Sequence, residues 1–345
     1  VLPLLDVQLR TQSDVMGETA TVLCAGNEVT RLRPNVANNS VMFEKSGYIV
    51  YLSSGTTGTP KLVRQERRRG RYRGVAVFDR YGAGPGRGPH IMGNPVFHLG
   101  TLGPALYALQ AGSTVHILDR WSAEQFLETA ADTGATSGFV SSGDLLDLVE
   151  CDKPATPDLR ALQHGGSRTP SWIKRAAIER FGGGLIEYYG TSHGPVSEIT
   201  GSEWLRHPGS VGRPYSGIQV RIIGESEPGP LLITHRRGNA ETSAEENPGD
   251  IGWIDDDDYL HVIGRSGTPD AVRLQHELSE LLGVSNAIVD ESGDAPVAVI
   301  ELSSQAPRLR IEQMLAESPL DVECRFVERA SLPRTLSRKV SRLPK

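Results

Sequence analysis

The chain has 345 residues, of which 38% are hydrophobic and 23% charged, and its formal net charge at pH 7 is -6. This composition is typical of a soluble globular protein with one large or two ordinary domains, and the acidic balance argues against general nucleic-acid binding. The sequence has no apolar run of the roughly 18–20 residues that a membrane span needs, and its amino terminus lacks the features of a secretion signal. Its three cysteines, Cys24, Cys151 and Cys324, are odd in number and far apart, which suggests neither a disulfide framework nor a zinc site. We therefore expect a cytoplasmic protein.

Short apolar segments ("GYIVYL", "STVHIL", "TSGFV", "GLIEYY") alternate with amphipathic ones ("SAEQFLETAADTG", "PSWIKRAAIERFGG"), which predicts a sheet covered by helices. From about Gly201 to Gly264 the pattern changes to β segments separated by Gly and Pro. A Gly/Pro-rich hinge candidate at Ser266–Asp270 precedes a helix ("LQHELSELLG"), two strands and a further helix. The fold class predicted is α/β: a large amino-terminal α/β domain over residues 1–265 with a β-rich subdomain at about 201–264, and a small mobile α+β carboxy-terminal lid over 266–345.

After the strand "GYIVYL" comes a loop, "SSGTTGTPK", made almost entirely of small and hydroxyl residues and closed by Lys61. Glycine lets the backbone approach a ligand, hydroxyls and free N–H groups surround an anion, and the lysine adds a positive charge. The stretch is not the phosphate loop of nucleoside triphosphatases, because Gly55 and Gly58 are too close together and Pro60 precedes the lysine. Taken alone, it is also compatible with a surface turn. The basic run that follows, Arg64–Gly74, is interpreted as a solvated loop or strand edge.

Further motifs follow this loop in order: "PVFHLG", "HGGSRTP", "YYGTSHG", "GDIGWIDDDDYLHVIGR" and "LPRTLSRKVSRL". Together with "YLSSGTTGTPK", this order resembles the adenylate-forming superfamily, which includes acyl-CoA synthetases, peptide-synthetase adenylation domains and luciferases. The resemblance covers about residues 45–345. Six elements in the order of the family are far more specific than any one of them.

The resemblance implies an AMP-forming acid ligase that uses ATP and Mg²⁺. A carboxylic acid would attack the α-phosphate of ATP to give acyl-AMP and pyrophosphate, and the acyl group would then pass to a thiol, on coenzyme A or a carrier protein. Positioning and charge neutralisation would supply most of the catalysis. Neither the acid nor the final acceptor can be read from the sequence, so an amine or another nucleophile stays open as the acceptor.

The resemblance also implies roles for particular residues. Lys339, Thr191 and His193 occupy the catalytic positions, and Phe97 and His98 belong to the acyl pocket. Asp250 would accept the ribose hydroxyls, Arg265 would add a ribose contact, and Thr191 and Ser192 would contact the α-phosphate. The remaining nucleotide-binding positions are Ser53, Ser54, Gly55, Thr56, Thr57, Gly58 and Lys61 at the β- and γ-phosphates, and Gly165, Gly166, Ser167, Tyr188, Tyr189 and Gly190 around adenine.

The sequence departs from the family at three points. The motif of the family ends in a metal-binding Glu, where this chain has His193; imidazole is a poor ligand for Mg²⁺, so the ion would be held by ATP oxygens and water or by Glu198. The stretch between Arg265 and the next helix is short, which puts coenzyme A in doubt, because thioester-forming members use this stretch to build the pantetheine tunnel. The region before the phosphate loop is short as well, which would leave sheet edges or apolar surface for a partner subunit or a second copy to cover.

Two other classes of function stay open. "GTSHG" satisfies the G-x-S-x-G pattern of serine hydrolases with Ser192 as nucleophile, but the segment "PVSEITGSEW" after it is only weakly helical, whereas that motif requires a helix. A nucleotide-binding scaffold without turnover is the other alternative, suggested by His193 and the short amino-terminal region.

Overall fold

The computed structural model describes residues 40–43, 47–52, 62–67, 70–73, 88–93, 99–110, 113–118, 120–155, 158–191, 193–224, 227–236, 243–265, 267–303, 308–317, 322–329 and 331–332. The chain divides into two compact units. The first contains residues 1–55, 59–164 and 180–186, and the second contains residues 56–58, 165–179 and 187–345. The domain boundary predicted between residues 265 and 266 stays a prediction.

The first unit contains two hairpin-like strand pairs, a group of adjacent strands in the order β8-β7-β5-β6, and helices. Strand β5 pairs in parallel with both β6 and β7, as the alternation of strand and helix predicts. Its elements are β1 (Ser40–Phe43), β2 (Gly47–Leu52), β3 (Leu62–Arg67), β4 (Gly70–Arg73), β5 (His90–Met92), α1 (Leu99–Gln110), β6 (Val115–Ile117), α2 (Ala123–Thr133), β7 (Ser137–Ser141), α3 (Ser142–Glu150) and β8 (Ala161–Gly165).

Strands β2 and β3 pair antiparallel, with Leu52 opposite Leu62. The Gly/Ser/Thr-rich loop connects these two residues, so its ends are held together by the last pair of the ladder. The predicted basic run falls largely on β3 and on β4, which pairs with β1.

Local signals in the sequence explain where α2 and α3 begin. Ser122 caps α2 by accepting from the Gln125 N–H at 3.2 Å, and Ser141 and Asp144 form a capping box at the start of α3. The packed interior of this unit includes Phe126 of α2, which is fully buried. The helix of the predicted segment "SAEQFLETAADTG" is confirmed.

The second unit is built mainly from antiparallel sheets. It contains three adjacent strands in the order β11-β10-β9, a sheet in the order β12-β13-β15-β16 with β14 on β13, and a three-stranded sheet β17-β18-β19. The elements, several of which begin or end at a unit boundary, are α4 (Ser171–Phe181), β9 (Leu185–Thr191), β10 (Gly194–Thr200), α5 (Gly201–Trp204), β11 (Arg213–Pro214), β12 (Ile218–Ile222), β13 (Gly229–Arg236), β14 (Ser243–Glu246), β15 (Asp250–Ile254), β16 (Leu260–Arg265), α6 (Pro269–Glu280), β17 (Val284–Asp290), β18 (Val297–Leu302), α7 (Arg308–Glu317) and β19 (Glu323–Val327).

The predicted turn at "DDDD" joins β15 and β16 as a hairpin. Asp255 Oδ1 accepts from the backbone N–H groups of Asp257 and Tyr259 at 3.0 and 2.9 Å, and Asp258 adopts a left-handed conformation with φ of 63°. Aspartate tolerates this conformation better than most residues because its side chain bonds locally to the backbone. These carboxylates therefore shape a turn, as the sequence predicts.

Helix α6 begins earlier than the apolar pattern suggests. Thr268 caps it by accepting from the Ala271 N–H at 3.3 Å, and Pro269 occupies the first turn, where its missing N–H costs nothing. The Thr268 hydroxyl also donates to Glu291 at 2.6 Å. Part of the candidate hinge is thus the first turn of α6, whose Val272 packs with Ile251 and other apolar residues of the β15–β16 hairpin.

Two ion pairs of the second unit involve side chains that are buried or partly buried. Lys174 of α4 contacts the carboxylate of Glu187 of β9, and both side chains are almost fully buried. Burial lowers the pKa of Lys174, whereas Glu187 opposes that shift. Glu280, at the end of α6, likewise accepts from Arg168 and from the Ser171 N–H at the start of α4.

Two histidines are held neutral by burial. Burial lowers the pKa of His90 to about 3, and burial together with the nearby Arg168 and His261 lowers the pKa of His276 to about 3. An imidazole in the unfolded chain has a pKa of about 6.5. Between about pH 3 and pH 6.5, each of these two histidines therefore takes up a proton when the chain unfolds. The stabilising effect of the neutral form is complete above about pH 6.5 and is lost as the pH falls toward 3.

We predict that H276Q makes the free energy of unfolding less dependent on pH in this window. Removing one such group should reduce the slope by up to about 1.4 kcal/mol per pH unit, the effect of one proton. Urea unfolding of the wild type and the variant at intervals from pH 7 to pH 4 measures the two slopes. Parallel curves would show that His276 takes up its proton in the folded chain.

Candidate functional site

Strand β9 presents two site residues on one face. Tyr189 and Thr191 are two positions apart, so their side chains point to the same side of the strand. Tyr189 contacts Asp250, the first residue of β15, and Thr191 contacts Glu246, the last residue of β14. Two neighbouring polar side chains thus meet two carboxylates, all within the second unit.

The turn between β14 and β15 sets the spacing of the two carboxylates. The Asn247 side chain accepts from the Gly249 N–H at 2.8 Å, and Gly249 has φ of +77°, a conformation that glycine adopts without strain. This compact turn brings the chain from Glu246 to Asp250 in four positions. Both carboxylates therefore arrive next to β9 from one short segment.

Asp250 is buried and makes three charge-assisted hydrogen bonds. Arg265 donates from Nε to Oδ1 at 2.5 Å and from Nη2 to Oδ2 at 3.1 Å, and the Tyr189 hydroxyl donates to Oδ2 at 2.6 Å. The hydrogen bond to Asp250 raises the pKa of Arg265, and burial followed by the charge of Asp250 raises the pKa of Tyr189. Tyr189 therefore stays a protonated donor. A carboxylate offers about four acceptor positions, so roughly one of those on Asp250 remains for a further donor.

Glu246 is the centre of a second hydrogen-bonded group. Its Oε1 accepts from the Thr191 hydroxyl and from His235 Nε2, the latter at 2.9 Å, and its Oε2 is bonded to His193 Nδ1. The Thr191 oxygen in turn accepts from the His193 N–H at 3.1 Å. We call Thr191, His193, His235 and Glu246 the Glu246 cluster.

The chemistry of the carboxylate fixes the tautomers of the two histidines. An ionised carboxylate only accepts hydrogen bonds, so the proton lies on Nδ1 of His193 and on Nε2 of His235. A neutral His193 consequently carries its lone pair on Nε2. The His193 side chain is 47% exposed, whereas those of His235 and Glu246 are 8% and 11% exposed. The imidazole of His193 is therefore half exposed, and the carboxylate that bonds to it is mostly buried.

The other candidate adenine-binding residues lie at the end of β8 and along β9. A Cβ atom on Gly165 would come within 2.5 Å of the Tyr188 carbonyl oxygen, so only glycine fits beside this strand. Gly166 and Ser167 form the bend that follows, and Gly190 lies within β9 between Tyr189 and Thr191. The structure thus brings Gly165 to Tyr188, and Tyr189, Thr191 and His193 to the two carboxylates.

The described residues do not form a protein-built magnesium site. The position at which the family carries Glu holds the imidazole of His193, and Glu198 accepts from the Tyr215 hydroxyl at 2.6 Å. Three donors already engage Glu246. Within the part of the chain that the structure describes, no group of three His, Cys, Asp or Glu side chains is arranged to hold a metal.

Several predicted site residues lie outside the described residues: Ser53, Ser54, Gly55, Thr56, Thr57, Gly58, Lys61, Phe97, His98, Ser192 and Lys339. Conversely, the sequence reasoning did not identify Glu246 or His235. Glu246 stands in "SAEENPGD", where acidic residues beside Asn, Pro and Gly are typical of a solvated turn. The one signal available was that this Glu precedes the candidate ribose-binding Asp250 by a single turn.

The sequence profile described as "AMP-binding enzyme" matches residues 13–238 of the chain. The chain therefore belongs to the family of AMP-binding enzymes, which confirms the predicted resemblance. It is 26% identical over 198 residues to a 4-coumarate–CoA ligase-like protein of Arabidopsis thaliana, an alignment covering 50% of this chain and 35% of the relative. It is also 24% identical over 376 residues to a probable CoA ligase of Humulus lupulus (88% and 61% covered) and 25% identical over 341 residues to a 2-succinylbenzoate–CoA ligase of Bacillus licheniformis (88% and 70% covered). The chain thus spans from about a third to about two thirds of the length of these relatives.

Solved structures confirm the mixed α/β fold. The amide bond synthetase McbA from Marinactinospora thermotolerans superposes with a TM-score of 0.65 at 24% identity, covering 84% of this chain and 67% of that protein. The o-succinylbenzoate coenzyme A synthetase of Bacillus subtilis, solved in complex with ATP and a magnesium ion, gives a TM-score of 0.63 at 18% identity, with 95% and 73% covered. Among the described helices, none is both long and apolar enough to cross a membrane.

We predict that D250N lowers the free energy of unfolding by about 1.5–3 kcal/mol, the range for hydrogen bonds to charged groups. The substitution removes the charge that Arg265 pairs with and places an amide against its guanidinium. D258N, in the exposed turn of the β15–β16 hairpin, is the matched control and should change the stability by no more than about 0.5 kcal/mol. Urea unfolding followed by circular dichroism measures both. Equal effects of the two variants would contradict a stabilising role for the Asp250 contacts.

Proposed function

We propose that the chain activates a carboxylic acid with MgATP, forming acyl-AMP and pyrophosphate, and then transfers the acyl group to a nucleophile. The observation that carries this proposal is the meeting of Tyr189 with Asp250 and its partner Arg265, on the face of β9 that also carries Thr191. These residues come from motifs that are far apart in the sequence and have a common task only in a nucleotide site. Membership of the AMP-binding enzyme family supports the same reaction.

Each group has a defined task in the proposed reaction. Asp250 accepts the ribose hydroxyls, Tyr189 covers adenine, and Lys61 with its loop binds the β- and γ-phosphates. Lys339 neutralises the charge that develops on the α-phosphate and the acyl oxygens, so its effect belongs to the transition state more than to binding. The carboxylic acid is already ionised at neutral pH and needs no base to attack.

The relatives and solved structures differ in the acceptor that their names imply for the second half of the reaction. The CoA ligase names of the three relatives support a thiol, whereas the name of the amide bond synthetase supports an amine. One structural observation favours the amine: only three residues separate the end of β16 at Arg265 from the start of α6 at Pro269. This short connection leaves little chain for the Gly-rich segment that thioester-forming members place there.

Nucleotide binding should require an exchange of contacts at Asp250. About one acceptor position is open on its carboxylate, yet a ribose offers two hydroxyls. We predict that Y189F, which keeps the ring and frees one acceptor position, binds AMP at least as tightly as the wild type. Y189A should lose about 1–3 kcal/mol, the usual contribution of an aromatic ring stacked on a base. Calorimetric titration with AMP measures both, and equal losses in the two variants would contradict this arrangement.

The reaction itself is tested by acid-dependent exchange of labelled pyrophosphate into ATP across a panel of carboxylic acids. We predict that K339A lowers exchange about 10²–10³-fold, the usual effect of removing a group that stabilises developing charge, with little change in ATP affinity. K345A, which removes the last cation of the same segment, is the control and should leave exchange unchanged.

Three outcomes would contradict the proposed function. Absence of exchange with every acid, combined with tight ATP binding, would indicate the scaffold alternative. Hydrolysis of p-nitrophenyl esters without ATP would indicate a serine hydrolase. Equal loss in K339A and K345A would remove Lys339 from the reaction.

A further inference from the structure

We propose that His193, oriented by Glu246, is the general base that removes a proton from an amine acceptor in the acyl-transfer step. This inference rests on the proposed function, because it concerns the second half of that reaction. It makes Glu246 a positioning residue and names the acceptor class. At the position where the family has a metal-binding Glu, this chain has His193. Nδ1 of its imidazole is bonded to the carboxylate of Glu246.

The Glu246 cluster has the geometry that a base needs. Glu246 holds the proton on Nδ1 of His193 and so leaves the Nε2 lone pair available, and a nearby negative charge stabilises the imidazolium that forms when Nε2 takes up a proton. The carboxylate is itself fixed, since Thr191 and the buried His235 both donate to Oε1. A carboxylate with two anchors cannot rotate freely away from His193.

The surroundings also allow a substrate to reach this base. The His193 side chain is about half exposed, while its orienting carboxylate is mostly buried. His193 lies two positions after Thr191, and its backbone N–H donates to the Thr191 hydroxyl at 3.1 Å. A group bound at the α-phosphate position proposed for Thr191 would therefore lie close to the imidazole.

The chemistry of the two half-reactions assigns the base to the second. Adenylation joins an ionised carboxylate to the α-phosphate and releases pyrophosphate, with no proton to remove. In the transfer step the amine nitrogen forms a bond to the acyl carbon, the bond from that carbon to the phosphate oxygen breaks, and AMP leaves with the electron pair. The amine binds in its ammonium form and gives one proton to Nε2 of His193, which passes it to water. Once the bond to the acyl carbon has formed, the second proton leaves the nitrogen for water.

An amine needs this base more than a thiol does. An alkyl ammonium has a pKa near that of lysine, about 10.4, against about 8.5 for a thiol, so at neutral pH an amine is almost entirely protonated and unreactive. The short connection from β16 to α6 points to the same acceptor. The start of α6 is fixed by its capping residue Thr268, which bonds to Glu291 through both its N–H and its hydroxyl, at 2.9 and 2.6 Å.

The test separates the two half-reactions in the full-length chain. The acid that gives the strongest pyrophosphate exchange is converted to its acyl-adenylate on the enzyme, and transfer is measured in a single turnover to n-butylamine, to hydroxylamine and to coenzyme A. The variants are H193Q and E246Q, and H207Q serves as the control because His207 stacks on Tyr259 at 3.7 Å, in a different part of the second unit. Exchange is measured for every variant.

We expect H193Q to slow transfer to n-butylamine about 10²–10⁴-fold more than it slows exchange, which is the usual contribution of general base catalysis. Transfer to hydroxylamine, which is mostly unprotonated at neutral pH, should fall much less. H207Q should behave as the wild type. Loss of exchange in the wild type would contradict the proposed function, whereas normal exchange with equal loss for both amines, or no loss in H193Q, would overturn the role of His193.

The role of Glu246 has its own readout. The ¹⁵N chemical shifts of the imidazole nitrogens report the tautomer of His193, and we expect the Nδ1–H form in the wild type and a loss of that preference in E246Q. E246Q should also slow butylamine transfer while leaving hydroxylamine transfer nearly unchanged. An unchanged tautomer in E246Q would overturn the positioning role, and His193-dependent transfer to coenzyme A faster than to n-butylamine would overturn the amine as acceptor.

Discussion

The short turn between Glu246 and Asp250 is the constraint on which the candidate site depends. It delivers two carboxylates to one face of β9, where the period of the strand places Tyr189 and Thr191 to receive them. A shift of β9 by one residue would turn both side chains to the opposite face, so Asp250 would lose the Tyr189 donor and Glu246 would lose the Thr191 donor. The cost of leaving buried carboxylate oxygens with fewer donors therefore favours the observed register.

The same constraint determines how the site meets a ligand. The Asp250 carboxylate accepts three hydrogen bonds and the Glu246 carboxylate is bonded to three groups, so a nucleotide bound here as proposed would exchange existing contacts for new ones. Exchange of this kind yields a small net free energy for each hydrogen bond, because the protein gives up a bond for every one it gains. Selectivity would then come from shape and charge placement more than from the number of polar contacts.

The sequence predicted much of the fold because its signals are local. The strands around "GYIVYL", "TSGFV" and "GLIEYY" and the turn at "DDDD" carry their own periodicity or turn chemistry, and the structure confirms them. Helix α6 begins at Pro269, ahead of its apolar stripe, because a capping threonine and a first-turn proline set the start. The segment "PVSEITGSEW" has weak helical character, yet most of it forms β10, since tertiary packing outweighs weak propensity.

The candidate site was predictable only where its residues belong to a motif. Tyr189, Thr191, His193, Asp250 and Arg265 stand in motifs of the resemblance, and the structure brings them together in the second unit. Glu246 could not be found in this way, because its partners Thr191 and His193 are more than fifty positions earlier in the chain. A contact of that range follows from the pairing of β14 with β13 and from the turn before β15, neither of which has a periodic signal.

The position of His193 also bears on the serine hydrolase alternative. A nucleophile elbow needs a strand, a sharp turn and a helix, whereas here β10 begins at Gly194, directly after His193. The carboxylate of Glu246 orients the imidazole of His193, which directly follows Ser192 in the chain. An imidazole that is oriented by a carboxylate is suited to take a proton from a substrate, and an adenylate-forming enzyme offers such a substrate only in its acyl-transfer step.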